Sequence, residues 1–350
     1  MPCNSPYSFR SFRPRCEPLE DRLTPANPIA FGPEAGGGPH VKVIDVDTGV
    51  ELHSFFAYDP SFRGGVRLSL GDVTGDGTAD VVTAPGKGGG PHVKVFDGNT
   101  MQEVRSFFAY DPSVRGGLFV DVGDFDGDRF VDIITASGPG GGPHVRVFSG
   151  KDGSEIHSFF AFDPTFAGGV SVSSGDTDGD GRHELIAAAW RGGGPHVKVF
   201  DGQTLAEEGS FFAFDAGFSG GVWVCSGDIT GDGKDDIIAT PGFDAPGQAR
   251  VFDGATGKLA AEFLASAPGF TGGVRAGSGD DFDADGHDEL ITVNGPGGRP
   301  TVTVWSGITI AEDRAVGRAA ARATSRGTFL VFDDSMDTGI IASRTKMIIE

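Results

Sequence analysis

The sequence sets carboxylates at alternate positions of one short loop. In Asp124-Phe125-Asp126-Gly127-Asp128-Arg129-Phe130-Val131-Asp132 they fill positions one, three, five and nine, and an apolar β-branched run, Ile133-Ile134-Thr135, follows at once. Like charges this close repel and raise one another's pKa unless a cation joins them. Hard oxygen donors at alternate positions are the set Ca²⁺ takes, with the backbone carbonyl of position seven, Phe130 here, as a further donor. The pattern recurs as Asp72, Thr74, Asp76 and Asp80, as Asp176, Asp178, Asp180 and Glu184, as Asp228, Thr230, Asp232 and Asp236, and as Asp281, Asp283, Asp285 and Glu289. The position-seven carbonyls of these copies belong to Thr78, Arg182, Lys234 and His287. The expectation is up to five bound Ca²⁺, held more weakly where Thr74 or Thr230 replaces a carboxylate.

Other readings of the same residues compete with this one. The EF-hand shares the opening but needs a bidentate Glu at position twelve and a flanking helix. Position twelve is Thr83, Thr135, Ala187, Ala239 and Thr292, none a carboxylate and each in a strand-like run. Tandem nine-residue β-helix repeats do not fit loops spaced about fifty residues apart. An Asp/Gly hairpin turn that holds no ion is the plain alternative for each loop.

What must position the loops is a repeat. Gly-Gly-Gly-Pro-His ends at His40, His92, His144 and His196, and Ser-Phe-Phe-Ala begins at Ser54, Ser106, Ser158 and Ser210, both at a constant step of 52. Degraded copies read Gly297-Gly298-Arg299-Pro300 and Glu262-Phe263-Leu264-Ala265. A period near fifty denotes an array of supersecondary units. Four β runs fit in each. Gly65 to Leu70 alternates and enters the first aspartate loop, and Asp80 to Thr83 leaves it, short and apolar like an internal strand. His92 to Phe96 meets the hairpin signal Asp97-Gly98, and Glu103 to Tyr110 ends at Asp111-Pro112. The reading is an all-β chain, a β-propeller of four-stranded blades; the rungs of a β-solenoid are about half as long. Five loop-bearing units begin near Gly65, Gly117, Gly169, Gly221 and Gly273, and a partial unit, Ile29 to Tyr58, precedes them without a loop. Six blades are predicted.

These units resemble FG-GAP (VCBS-like) repeats, the calcium-loop blades of integrin α-subunit propellers and of many bacterial secreted proteins. The Phe-Gly element matches Phe62-Arg63-Gly64-Gly65 and its copies ending at Gly117, Gly169, Gly221 and Gly273, with Val114 replacing Phe in the second. The Gly-Ala-Pro element matches Thr83-Ala84-Pro85-Gly86, is loosely kept as Ala136-Ser137-Gly138-Pro139 and Ala239-Thr240-Pro241-Gly242, and is broken by Ala189-Trp190-Arg191. The resemblance implies that each calcium loop joins the innermost strand of a blade to the next. Integrin-type propellers have seven blades, so seven is the alternative count.

Composition bounds the rest. Of 350 residues 58 are Gly and 29 Phe, with 4 Met and 3 Tyr, which points to turns and β structure. The net charge of −21 gives no electrostatic footprint for nucleic acid. Three cysteines, two of them Cys3 and Cys16, cannot make a disulfide framework, and no apolar run is long enough for a membrane span.

Three segments are expected: 1–28 as a leader or disordered arm, 29–307 as the propeller, and 308–350 as a non-repeat tail. The first lacks the apolar stretch of an export signal, yet Arg15 to Pro25 resembles a Leu-Glu-Asp-Arg leader of some bacterial exported repeat proteins. In the last, Arg314, Arg318, Arg322 and Arg326 step by four through an Ala-rich run, which predicts a short helix with a basic stripe, and Thr328 to Phe332 reads as one strand. That strand could complete the open blade, but a solvated tail against an acidic propeller is the preferred reading.

No catalytic constellation is recognisable. The repeated histidines fall one per blade, too far apart to share an ion, and read as structural. The glycine runs carry no phosphate-loop signature, and no Gly-x-Ser-x-Gly or His-Glu-x-x-His is present. The expectation is a calcium-stabilised, monomeric, extracellular or cell-surface propeller, not an enzyme, that binds a protein or glycan. A polysaccharide-cleaving propeller and a purely architectural surface protein are the alternatives. Near-identity of Ala57-Tyr58-Asp59-Pro60, Ala109-Tyr110-Asp111-Pro112 and Ala161-Phe162-Asp163-Pro164 argues against the enzyme, since an active site requires one blade to differ.

Overall fold

Period-two alternation makes the third strand of each unit. In His92–Phe96 the side chains of Val93 and Val95 are buried while His92 and Lys94 stay half-exposed. The run before it, Asp80–Pro85, is buried on both faces, as its short apolar composition predicts. Glu103–Phe108 alternates exposed and half-buried residues and forms an outer edge. The computed structural model describes residues 27–46, 48–282, 284–313, 318–332, 340–343 and 345–346.

Six antiparallel sheets of this kind form a six-bladed β-propeller. The second blade is Val66–Gly71, Asp80–Pro85, His92–Phe96 and Glu103–Phe108, from the innermost strand outward. The third to fifth blades repeat it from Leu118–Gly123, Val170–Gly175 and Val222–Gly227, and the sixth runs from Val274–Ser278. Strand bounds agree with the sequence reading to within one or two residues.

The first blade is closed by the far end of the chain. Its second to fourth strands are Pro28–Pro33, His40–Asp45 and Glu51–Phe56, and its innermost strand is Ile340–Ser343, paired antiparallel with Ala30 opposite Ser343 and Pro33 opposite Ile340. Ala342 is buried there beside Phe31, Ile291 and Val293. A further pair of residues, Thr345–Lys346, adds in parallel to Leu70 and Gly71.

This corrects the expected tail. The boundary at 307 falls inside Thr301–Asp313, the third strand of the sixth blade, and Arg318–Leu330 is its outer strand, not a helix. The blade needs a fourth strand, and pairing along Thr301–Asp313 overrides the helical spacing of the arginines. Arg314 and residues 1–26, including the leader, lie outside the described residues. The run expected from Thr328 supplies the last residues of the outer strand, up to Leu330, and closure comes from Ile340–Ser343.

Bulk between blades is apolar. Phe119, Phe125, Leu185, Trp190, Trp223 and Ile229 belong to one buried cluster spanning the middle blades. Two tyrosines staple blades together: Tyr58 donates to the His92 carbonyl at 2.7 Å and Tyr110 to the His144 carbonyl at 2.9 Å. Antiparallel alternation puts all five aspartate loops and the Asp97-Gly98 type hairpins at one end, and the Gly-Gly-Gly-Pro-His loops at the other.

Candidate metal centre

Each aspartate loop joins the innermost strand of a blade to the second, which fixes its two ends in the sheet ladder. In the third blade Gly123 pairs with Asp132, so the loop is pinned by its ninth residue. The Asp132 carboxylate is buried and accepts from the amides of Phe125 at 2.9 Å and Gly150 at 2.9 Å. The Asp124 carboxylate accepts from Gly127 at 2.8 Å and Arg129 at 3.2 Å, and Asp126 from Asp128 at 3.0 Å. The turn thereby gathers carboxylate oxygens of Asp124, Asp126 and Asp132 within 4.8 Å of one another. The fourth blade does the same with Asp176, Asp178 and Glu184. There Thr177 donates to Glu184 through its amide at 2.7 Å and its hydroxyl at 2.8 Å.

Burial is the main electrostatic fact about these loops. It pushes Asp132 and Glu184 up to about 7, more than their hydrogen bonds lower them, and the neighbouring carboxylates add to the rise. Asp236 is likewise pushed to about 7, and Asp80 is raised, in both cases by burial first. A divalent cation would reverse this by favouring the charged forms.

The remaining expected ligands are placed unevenly. Asp128 stands apart from its cluster, with its carboxylate on the Phe130 amide at 3.0 Å and the Lys151 ammonium at 3.2 Å. Asp180 caps the Arg182 amide at 2.9 Å. Asp72, Asp76 and Asp80 form the same turn, with Asp72 accepting from Asp76 and Gly77, but are not gathered into a cluster. Asp228, Asp232 and Asp236 behave alike, Thr230 donating its amide to Asp236 at 2.8 Å. In the fifth loop Asp281, Asp285 and Glu289 keep the turn bonds, while Asp283 lies outside the described residues. Of the position-seven residues, Thr78 accepts from Asn99 at 3.1 Å, the Arg182 side chain donates to Gln203 at 2.8 Å, the Lys234 amide donates to Asp232 at 3.0 Å, and His287 bonds the Ile229 carbonyl at 3.2 Å.

Position six adopts the left-handed region throughout, with φ near 88° at Gly77 and 71° at Arg129. Glycine takes it freely and arginine does not.

Sequence reasoning missed position eight. The Asp235 and Asp288 carboxylates reach back to the preceding blade and accept the amides of Asp176 at 3.2 Å and Asp228 at 3.0 Å. Their own amides donate to the carbonyls of the same residues at 2.8 Å. The loops are therefore linked blade to blade. The only signal was an extra Asp beside the ninth-position carboxylate.

The repeated histidines are structural in geometry. His92 Nε2 lies 2.6 Å from Ser106 Oγ and its ring stacks on Phe108, and His40, His144 and His196 repeat the contact.

No protein-family description matches this chain, and no curated protein matches its sequence. Solved structures do. The Dos1 propeller is 15% identical over 77% of this chain and 62% of its own, with a TM-score of 0.46. The exotype rhamnogalacturonan lyase YesX is 14% identical over 85% and 64%, with a TM-score of 0.46. The WD40 repeats of RRP9 are 12% identical over 83% and 75%, with a TM-score of 0.49. This chain spans less than two thirds of the first two, and at these identities the likeness is one of fold alone. Among the described residues no helix is long and apolar enough to cross a membrane.

Proposed function

We propose that this chain is a calcium-stabilised propeller of FG-GAP type, exported, acting as a binding or adhesion module for a protein or glycan. The observation that carries the calcium part is the convergence of Asp124, Asp126 and Asp132, and of Asp176, Asp178 and Glu184, inside turns whose backbone amides already orient the oxygens. Oxygen-only donor sets of this kind suit Ca²⁺, and the millimolar Ca²⁺ outside cells matches the affinity of extracellular modules, Kd about 10⁻⁴–10⁻³ M. Export follows from that match and from the leader resemblance. Recognition in place of catalysis is the reading that fits the near-identity of the three fourth-to-first-strand loops at Ala57, Ala109 and Ala161.

The test is a glycan and matrix-protein array probed in millimolar Ca²⁺ and again in EDTA. Calcium-dependent retention on a defined set of spots is expected. Retention nowhere on the array, with the protein folded, points to the architectural alternative.

A further inference from the structure

The end of the propeller opposite the aspartate loops has a mouth of about 330 Å³ on the axis, at the lower limit of small-molecule sites. Every blade contributes the residue that follows its second strand by two: Ala35, Lys87, Pro139, Arg191, Phe243 and Pro296. The backbone of this ring is fixed by close packing. A Cβ at Gly64 would strike the Lys87 carbonyl, and one at Gly168 the Arg191 carbonyl. On that rigid frame the repeat loses its identity. The Gly-Gly-Gly-Pro-His and Ser-Phe-Phe-Ala elements recur almost unchanged, while here six equivalent positions carry five residue types, and Trp190 stands where the second blade has Gly86.

The differences have a chemical direction. Arg67, Lys87 and Arg191 line the mouth together with one acid, Glu34. Glu34 is already neutralised by fully buried Arg275, Nε to Oε1 at 2.9 Å and Nη2 to Oε2 at 3.0 Å. Among the described residues no carboxylate pairs with Lys87 or Arg191. A chain of net charge −21 therefore turns a basic face to its axis. The cations also lie over rings: Arg191 is 3.9 Å from the Phe243 centroid, Arg67 3.7 Å from Phe119, and Arg275 5.5 Å from Trp190. Arg67 donates to the Leu118 carbonyl at 2.8 Å, so its place is set before anything binds.

We propose that this axial mouth binds one small carboxylate carrying a six-membered ring with a face that can stack, the apolar C–H face of an acidic sugar or the plane of an aromatic acid, with Arg191 and Lys87 on the carboxylate and the Arg191–Phe243 pair under the ring. A planar guanidinium fork matches a carboxylate, and bonds from Arg191 and Lys87 to it are charge-assisted. Phosphate would satisfy the charges but leave the stacked surface unused. The proposal deepens the binding reading and rests on it, but is independent of calcium.

Trp190 and Trp223 lie beside the mouth, whereas Trp305, the third tryptophan, packs on Phe263. Tryptophan fluorescence and calorimetry with galacturonate, benzoate, galactose and inorganic phosphate therefore form the experiment, on the full chain in millimolar Ca²⁺. Saturable binding of galacturonate or benzoate is expected, with galactose and phosphate at least about tenfold weaker. Whichever acid binds identifies the source of the ring. Arg191→Met and Lys87→Met should each weaken binding about tenfold or more, and Lys198→Met, on a third strand away from the mouth, should not. Both mouth residues are exposed, and circular dichroism checks that the variants fold. No saturation by either acid up to about 10 mM overturns the proposal, as do equal binding of galactose or phosphate and indifference to Arg191→Met and Lys87→Met. Retention on the array that survives both substitutions would leave the binding module standing and remove only this pocket.

Discussion

A single side chain can separate a metal ligand from a turn residue. Asp126 Oδ1 accepts the Asp128 amide at 3.0 Å, and an asparagine can accept the same bond through its amide oxygen. Asp126→Asn therefore spares the turn and removes a charge from the cluster with Asp124 and Asp132. In Ca²⁺ it should cost about 1 kcal/mol or more by loss of a bound ion. In EDTA it should be neutral or slightly stabilising, because burial and the neighbouring acids raise the Asp126 pKa. Denaturant melts under both conditions make the comparison, and equal losses would assign Asp126 to the turn alone. Arg129 offers a second test of the loop backbone. Its φ of 71° is the conformation that Gly77 and Gly181 occupy in sister loops. Arg129→Gly should stabilise the protein by about 1 kcal/mol with or without Ca²⁺, and destabilisation would show that the Arg129 side chain outweighs the strain.

At the scale of the element, the loop carboxylates tie stability to pH. Asp132, Glu184 and Asp236 titrate near 7 without a cation, against roughly 4 in an unfolded chain. Between those values the folded protein holds protons that the unfolded chain has released. The contribution of these groups is thus complete below about pH 4 and is lost as pH rises through 7. Ca²⁺ takes the charged form, so its stabilisation grows over the same interval. Melting temperatures from pH 5 to 8 should show a gap between Ca²⁺ and EDTA that widens upward, and a constant gap would contradict the assignment. The closing strand is the other critical element. Ala342→Asp would bury a charge against Phe31 and Val293 and should cost about 3 kcal/mol or more, read as a fall in melting temperature. An unchanged melt would mean that Ile340–Ser343 does not close the first blade. The blades were legible because alternation in runs like His92–Phe96 and the constant step of His40, His92 and His144 come from local geometry. Closure was not. Ile340–Ser343 matches nothing in the repeat, since its partner Ala30–Pro33 lies some three hundred residues away in the chain. The site was legible in part: spacing marked Asp124, Asp126 and Asp132, but the cross-blade role of Asp235 depends on where the neighbouring Asp176 amide points.

For the whole molecule, the number of ions held decides how much of the fold depends on them. Extracellular calcium modules bind with Kd about 10⁻⁴–10⁻³ M, and at ten times Kd each site adds about 1.4 kcal/mol. The two gathered clusters alone would supply about 3 kcal/mol, and five occupied loops about 7 kcal/mol, comparable to the stability of an ordinary domain. Unfolding entropy near 2 cal/mol/K per residue turns these into falls in melting temperature of about 5 °C and about 10 °C when EDTA is added. Calorimetric titration of the same sample counts the ions directly, and the two measurements must agree. The gathered loops at Asp124 and Asp176 should fill first, those with Thr74 and Thr230 last, because affinity follows the number of ligand charges. Asp126→Asn and Asp178→Asn together should then remove the tighter part of the isotherm and about half or more of the calcium-dependent shift at low Ca²⁺. A melting curve indifferent to EDTA would leave the five loops as hairpin turns and the calcium reading would fall, while the ring of Lys87, Arg191 and Phe243 at the opposite end would be untouched by that result.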